Sequence, residues 1–186
     1  MPVVSLVGMP GGGKSTVGRQ LARRLDLPVA DSDHHIERRI GCSIAAYFER
    51  EGEARFRDVE AEVLHDLLDG TPRVVATGGG IVLREDNREL LRSRSVAIYL
   101  RSTPEELFRR VRHDARRPLL QVENPLARLR ELNASRDALY RETAHYVIET
   151  GRPSISTLVN MILMQLELAG YVDPAAVPSS VGAHSR

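Results

Sequence analysis

Short apolar runs alternate with amphipathic segments along most of this chain. Val3–Val7 is apolar almost throughout, which is typical of a strand buried inside a parallel sheet. After a glycine-rich stretch, Val17, Leu21 and Leu25 recur every four residues and predict a helix over Lys14–Leu25. Four further strands are predicted, at Leu27–Ala30, Arg73–Ala76, Val96–Leu100 and Tyr146–Glu149.

Helical patterns fill the intervals that follow the strands. Helical segments are predicted from the end of the second strand to about Asp69. Thr103, Pro104 and Glu106 combine a capping side chain, a proline at the first helical position and a reciprocal acid, so they predict a helix start. Two more helices are predicted, over Pro125–Thr143 and along an apolar stripe from Ile155 to Leu166, whereas residues 109–123 show no clear period.

Strands that alternate with helices predict an α/β fold in which helices cover both faces of a parallel sheet. Ligands bind such sheets beyond the carboxyl ends of the strands. Three motifs follow predicted strands, namely Gly8–Ser15, Asp31–Asp33 and Gly78–Gly80, so we expect them to share one edge. The length of 186 residues fits one domain, and the chain shows no internal repeat.

The charge balance and the cysteine content narrow the functional classes. The 26 basic and 25 acidic residues leave a net charge of +1, which provides no general attraction to nucleic acid or to an acidic membrane surface. The single cysteine excludes an internal disulfide and a cysteine-rich metal site. No apolar run approaches the length of a membrane span, and the N-terminal run is interpreted as a strand rather than a signal peptide, so we expect a cytoplasmic protein.

Residues 8–15 read Gly-Met-Pro-Gly-Gly-Gly-Lys-Ser and match the phosphate-loop pattern G-x-x-x-x-G-K-[ST]. The strand before the loop and the helix after it are the context that the pattern requires. We expect the loop N–H groups to surround phosphate oxygens, Lys14 to reach the β- and γ-phosphates, and Ser15 to bind Mg²⁺. Lys14 is the only lysine of the chain, which suggests a position where the wide guanidinium group of arginine does not serve.

Among P-loop proteins, the rest of the sequence favours a small kinase. A GTPase usually reads guanine with an Asn-Lys-x-Asp motif, and this chain has no second lysine to form one. A large ATPase normally needs more chain and an acidic residue for Mg²⁺ at the end of the third strand, where Val74–Thr77 has none. A small ATP-dependent kinase therefore remains.

Two carboxylates flank Ser32 where the second strand ends. If the chain stays extended there, Asp31 and Asp33 project to the same side, toward the catalytic edge. A kinase acting on a hydroxyl group needs an acid to orient that hydroxyl and accept its proton, and its Mg²⁺ shell must be held. The alternative is that an aspartate only caps the next helix. His34 and His35 follow, but adjacent helical residues diverge by about 100°, so we assign them no metal-binding role.

Glycines and arginines supply the candidates for binding an anionic substrate. Three successive glycines at Gly78–Gly80 allow a ligand to approach the backbone closely. Arg57 and Arg136 lie in predicted helices and together suit a carboxylate, although a solvated surface arginine is the alternative for each. Five arginines within residues 109–117 predict a lid over ATP phosphates or a solvated face, and the neutral net charge disfavours the third reading, a nucleic-acid patch.

From about Val3 to Leu168 the motifs resemble those of the shikimate kinase family. Six of them occur in the family's order and at near-family spacing: Gly8–Thr16, Asp31–Glu37, Phe56–Glu60, Gly78–Gly80, Arg117–Leu120 and Arg136–Arg141. The resemblance implies a three-layer fold like that of nucleoside-monophosphate kinases, with strand order 2-3-1-4-5. It implies phosphorylation of the 3-hydroxyl of shikimate by ATP with Mg²⁺, in a monomer. We expect a kinase domain over residues 1–169, a lid over about 112–124 and a disordered tail over 170–186.

The resemblance also implies roles for single residues. Asp33 resembles the aspartate that contacts shikimate hydroxyls and serves as base. Arg57 and Arg136 resemble the pair that binds the shikimate carboxylate. Gly79 and Gly80 resemble the backbone part of that pocket. The implied ATP-binding residues are Gly11, Gly12, Gly13, Lys14, Ser15, Thr16, Arg110, Arg117 and Arg152. Of these, Arg110 is expected against adenine, Arg152 near adenine and Arg117 in the lid. Lys14 and Arg117 are also implied to be catalytic. Ser15 and Asp31 are implied at Mg²⁺, the latter through water.

Two other functions stay open. A gluconate kinase shares the phosphate loop but should lack the acid pair together with Arg57 and Arg136. A non-catalytic nucleotide-binding regulator would bind ATP without releasing ADP in response to an acceptor. A panel of acceptors distinguishes all three.

Overall fold

The computed structural model describes residues 1–112, 122–173 and 175, and a parallel sheet of five strands forms its centre. The strands are β1 Val3–Val7, β2 Val29–Asp31, β3 Val74–Ala76, β4 Ser95–Arg101 and β5 Tyr146–Glu149. Their order is β2-β3-β1-β4-β5, which confirms the predicted order. β1 pairs with both β3 and β4, and this central position explains why all of its residues are buried.

Seven helices cover the sheet within the described ranges. They are α1 Lys14–Leu25, α2 Ser32–Ile40, α3 Ile44–Leu67, α4 Glu85–Arg94, α5 Pro104–Val111, α6 Pro125–Thr143 and α7 Ile155–Leu168. α1 and α7 pack on one face and α2 to α6 on the other. Successive β1 side chains point to opposite faces of the sheet. Val4 and Leu6 pack with α1 and α7, whereas Val3 and Val7 pack with α2 to α6. This confirms the predicted α/β class.

The predicted bounds of α1, α6 and β5 are confirmed, and the bounds of several other elements differ from the prediction. β2 begins at Val29 rather than Leu27. α5 continues to Val111, so the basic segment starts inside a helix, because Leu107 and Val111 are buried one turn apart. α4 and the short 3-10 turn before it, Ile81–Leu83, had no prediction.

Helix α3 bends at Gly52, whose φ of 82° is outside the helical range. The bend separates the N-terminal turns from the half of the helix that carries Arg57 and Glu60. In this second half Phe56, Val63 and Leu67 are buried, so Arg57 is held on a well-packed helix.

Several sequence predictions fall wholly or partly outside the described residues. Arg117 and most of the predicted lid lie there, as does most of the predicted tail. Val172 is described and is buried in the core with α1 and α7, so the packed chain extends beyond the predicted domain boundary at residue 169. No described helix is both long and apolar enough to cross a lipid bilayer.

Candidate active site

A cleft of about 330 Å³ lies beyond the carboxyl ends of β1, β2 and β3. Its lining residues come from all three predicted motifs, namely Pro10–Thr16, Asp31, Asp33 and Thr77–Gly79. The three strand ends meet here because β2, β3 and β1 are neighbours in the sheet. The prediction that these motifs share one edge is therefore confirmed.

The phosphate loop leads from β1 directly into α1. Gly11 and Gly13 have φ angles of 79° and 86°, a left-handed conformation that costs little only for glycine. Lys14, the first residue of α1, is 7% exposed, and its Nζ donates hydrogen bonds of 2.8 Å to the carbonyl oxygens of Gly8 and Met9. The ammonium group is thus held within the curve of the loop, beside the N-terminus of a helix that favours anions.

Asp31 joins the second motif to the phosphate loop. Its Oδ2 accepts a hydrogen bond of 2.6 Å from Oγ of Ser15, and its Oδ1 accepts one of 3.1 Å from the backbone N–H of Asp33. Asp31 is therefore the N-cap of α2, and the prediction of an extended chain through Asp33 is wrong. The helix begins at Ser32 because the Asp31 carboxylate satisfies N–H groups that otherwise lack partners. The capping role and the cleft position coexist in one side chain.

Asp33 lies in the first turn of α2 and lines the cleft. A Cβ atom added to Gly78 would lie 2.7 Å from Oδ1 of Asp33, so the carboxylate packs directly on the glycine backbone. Burial raises the pKa of Asp33, the charge of Asp31 raises it further, and the nearby Lys14 acts against the rise. A raised pKa makes the ionised carboxylate a stronger proton acceptor.

Arg57 and Gly80 are in direct contact. A Cβ atom on Gly80 would collide with the guanidinium group of Arg57, which leaves glycine as the residue that fits. Nη1 of Arg57 donates a hydrogen bond of 2.7 Å to Oε1 of Glu60, a carboxylate that is only 2% exposed. This buried pair fixes the direction of the guanidinium group.

Arg136 lies on α6 near the same buried acid. Burial raises the pKa of Glu60, and the charges of Arg57 and Arg136 both act against that rise. The two predicted arginines therefore lie close to one carboxylate, although they are far apart in the sequence. The guanidinium group of Arg57 is also paired with Glu53 at 3.3 Å, so two arginines and several carboxylates meet on this side of the cleft.

The remaining predicted residues lie toward β4 and β5. Arg110 donates hydrogen bonds to Oγ of Ser102 at 3.2 Å and to the backbone oxygen of Thr150 at 2.6 Å. Ser102 lies beside the phosphate loop, since its Oγ would be 3.9 Å from a Cβ atom on Gly12. Arg152 is exposed in the segment between β5 and α7. Thr16 is exposed at the cleft.

Glu60 and Tyr140 had no predicted role in the site. The spacing of three residues between Arg57 and Glu60 on one helix is a detectable signal for an ion pair. Tyr140 carries no comparable local signal, because its hydroxyl donates to the backbone oxygen of Gly79, 61 residues earlier in the chain. Among the described residues, no group of three or more histidine, cysteine, aspartate or glutamate side chains that could hold a metal ion was found.

Comparisons with known proteins agree on one family. The family profile described as "SKI: Shikimate kinase" matches residues 10–167. The chain is similar to a shikimate kinase of Ralstonia nicotianae, with 57% identity over 98% of this chain and 96% of that protein. It is also similar to a shikimate kinase of Paracidovorax citrulli, with 58% identity over 92% of this chain and 96% of that protein.

Solved structures extend the likeness to three dimensions. The structure described as "Shikimate kinase from Acinetobacter baumannii in complex with shikimate" has a TM-score of 0.85 and 46% sequence identity to this chain. The match covers 93% of this chain and 96% of that one. Because the profile and the relatives each cover most of the sequence, the chain belongs to the shikimate kinase family.

Proposed function

We propose that this protein transfers the γ-phosphoryl group of ATP to the 3-hydroxyl of shikimate, which gives shikimate 3-phosphate and ADP. The observation that carries the proposal is the cleft in which a phosphate loop, the carboxylate of Asp33 and the glycines after β3 meet. Relatives of high identity are named shikimate kinase, and the solved structure of one similar protein holds shikimate.

On the nucleotide side, the phosphate loop from Gly11 to Thr16 would hold the β- and γ-phosphates of ATP, with the ammonium group of Lys14 directed at them. The hydroxyl of Ser15 and the carboxylate of Asp31 lie 2.6 Å apart and offer the hard oxygen ligands that Mg²⁺ prefers. When bound, Mg²⁺ would neutralise phosphate charge. Nucleotide oxygens and water would complete its shell, as is usual for this ion. Arg110 and Arg152 would bind on the adenine side.

On the acceptor side, Arg57 and Arg136 would bind the shikimate carboxylate, with Gly79 and Gly80 as the backbone wall beside them. Asp33 would orient the 3-hydroxyl and accept its proton as the hydroxyl oxygen forms a bond to the γ-phosphorus. The bond between that phosphorus and the bridging oxygen then breaks, and ADP leaves with the electron pair. We propose that Arg117 contacts the phosphates during transfer.

An assay of ADP release tests the function. The protein is mixed with MgATP and, separately, with shikimate, gluconate or no acceptor. The proposal expects shikimate alone to raise ADP release above the rate without acceptor, and chelation of Mg²⁺ to abolish the gain. A rate with shikimate equal to that without acceptor contradicts the proposal, and a response only to gluconate replaces it with the rival kinase.

We also propose that one chain acts alone in the cytoplasm. The monomer is what the resemblance to the family implies. A single cysteine suits a reducing compartment. The kinase domain over residues 1–169 and a lid over about 112–124 remain predictions, which limited proteolysis tests. Sedimentation tests the monomer.

A further inference from the structure

The hydroxyl of Tyr140 donates a hydrogen bond of 2.5 Å to the backbone oxygen of Gly79. Tyr140 lies on α6 and is fully buried, whereas Gly79 follows β3 and lines the cleft. Gly79 also packs on the phosphate loop, since a Cβ atom added to it would lie 2.5 Å from Cδ of Pro10. The position of Gly79 is therefore set by the phosphate loop and by the Tyr140 hydroxyl together.

Packing that is independent of the hydroxyl fixes the ring of Tyr140. Its centroid lies 4.9 Å from that of Tyr99, and the hydroxyl of Tyr99 donates a hydrogen bond of 2.8 Å to Oδ1 of Asp137. Asp137 also accepts a hydrogen bond of 2.8 Å from Nε of Arg141. Removing only the oxygen of Tyr140 should therefore leave the ring in place.

The hydroxyl of Tyr140 also lies next to the charged groups of the acceptor pocket. Burial raises the pKa of Tyr140 to about 12, the charges of Arg136 and Arg57 act against that rise, and Glu60 adds to it. At neutral pH the hydroxyl is thus a neutral donor, which the carbonyl oxygen of Gly79 requires. The buried hydroxyl of Tyr140 is thus close to both guanidinium groups and hydrogen-bonded to the glycine backbone of the pocket.

We infer that Tyr140 is a positioning residue for the acceptor, whose hydroxyl holds the Gly79 carbonyl so that the backbone wall faces the two arginines. The inference rests on the proposed function. A backbone oxygen that loses its donor inside the protein turns toward another partner or pulls in water. Either movement displaces the glycine wall and weakens acceptor binding. The phosphate loop keeps its own internal hydrogen bonds, such as that from Gly12 N–H to the Met9 oxygen at 3.1 Å.

The test replaces Tyr140→Phe in the full chain, with Tyr146→Phe as the matched control. Tyr146 belongs to the packing layer of α1 and α7, on the other face of the sheet. We expect Tyr140→Phe to raise the KM for shikimate by roughly 5- to 30-fold, the range expected for the loss of one buried hydrogen bond. The KM for ATP should stay within about twofold and kcat within about threefold, and the control should leave all three unchanged.

Calorimetric titration of shikimate at low temperature, where a destabilised variant stays folded, should show the same factor in Kd. A purely structural role predicts equal losses for both substrates, and that result overturns the inference, as does an unchanged KM for shikimate. A wild-type protein without shikimate-dependent turnover would defeat the proposed function itself. Wild-type turnover with an unaffected Tyr140→Phe variant would defeat only the inference.

Discussion

The carboxylates of Asp33 and Glu60 approach the same glycine. A Cβ atom on Gly78 would lie 2.7 Å from Oδ1 of Asp33 and 3.5 Å from Oε2 of Glu60. Burial is the main reason why the pKa of each acid is raised, and the charge of Asp33 further raises the pKa of Glu60. Two carboxylates whose ionised forms are disfavoured by burial thus lie against the glycine turn after β3, which has consequences for stability and, under the proposed function, for activity.

Replacing Asp33→Asn should separate stability from activity. The pKa of Asp33 is raised in the folded protein, so its contribution to stability is present below the unfolded pKa and is lost as the pH rises through the folded pKa. Asparagine removes the cost of the buried charge, so we expect a higher Tm at pH 7. The gain in Tm should shrink at acidic pH. kcat should fall by about 10²-fold or more because the proton acceptor is lost.

Thermal unfolding at several pH values and the ADP-release assay measure both effects. Asp86→Asn, an exposed aspartate of α4, is the matched control and should change neither kcat nor Tm appreciably. A near-normal kcat for Asp33→Asn would reduce Asp33 to a binding residue. A Tm lower than that of the wild type at pH 7 would contradict the stated cost of its charge.

The pH dependence of kcat/KM should also reflect the raised pKa of Asp33. Asp33 accepts a proton only when it is ionised, so kcat/KM should fall as the pH drops through its pKa in the free enzyme. Because burial raises that pKa, the fall should be centred above about 3.9, the value for an unperturbed aspartate. A pH-rate profile in buffers of constant ionic strength measures it. A profile that stays flat down to the unperturbed value excludes Asp33 as the base.

Arg57 should affect both the fold and acceptor binding. Arg57→Met leaves the carboxylate of Glu60 buried without its 2.7 Å partner, which should lower the free energy of unfolding by about 3–5 kcal/mol. Arg57→Lys keeps the charge but loses the planar pair of donors. We therefore expect it to raise the KM for shikimate by about 10-fold with a smaller loss of stability.

Denaturant unfolding and steady-state kinetics distinguish these two variants. Arg55→Met, at an exposed position of the same helix, is the control and should change the free energy of unfolding by less than about 0.5 kcal/mol. Equal behaviour of Arg57→Met and Arg55→Met would show that the buried pair contributes nothing measurable.

Gly80→Ala should weaken acceptor binding while the fold persists. The added methyl group would collide with the guanidinium group of Arg57, which is held by Glu60 and has to move. We expect the KM for shikimate to rise about 10-fold, in line with the loss of one charge-assisted hydrogen bond. Gly41→Ala makes a useful contrast, because Gly41 has a φ of 71° and no atom within 4 Å of the added methyl group.

Gly41→Ala should therefore reduce stability by about 1 kcal/mol and leave the KM unchanged. Steady-state kinetics and thermal unfolding of both variants check this. An unchanged KM for Gly80→Ala would mean that the position of Arg57 does not matter for binding.

Lys14→Arg should abolish most of the activity despite the conserved charge. Nζ of Lys14 fits between the carbonyl oxygens of Gly8 and Met9 at 2.8 Å, a space suited to a compact ammonium group. A displaced cation no longer stabilises the transferring phosphoryl group, so we expect kcat to fall by about 10²- to 10³-fold. Arg19→Lys, at an exposed position of α1, should leave kcat unchanged. A kcat for Lys14→Arg within a few-fold of the wild type would contradict this account.

The sequence alone predicted the nucleotide side of the molecule well. The phosphate loop, the strand before it and the helix after it are contiguous, so their pattern can be read within two dozen residues. The order of the sheet came from the resemblance to a family. α4 had no prediction, and the hydrogen bond that the Asp33 N–H donates to the Asp31 carboxylate decided where α2 begins.

The sequence by itself determined that this chain is an α/β protein with a phosphate loop and no second lysine. Only the tertiary structure decided how Arg57, Arg136 and Tyr140 are arranged around Glu60 and the glycines after β3. The reason is physical: periodicity and motifs report on residues that are neighbours along the chain. The proposed acceptor pocket is instead assembled by packing α3 and α6 onto one face of the sheet, which brings together residues far apart in sequence.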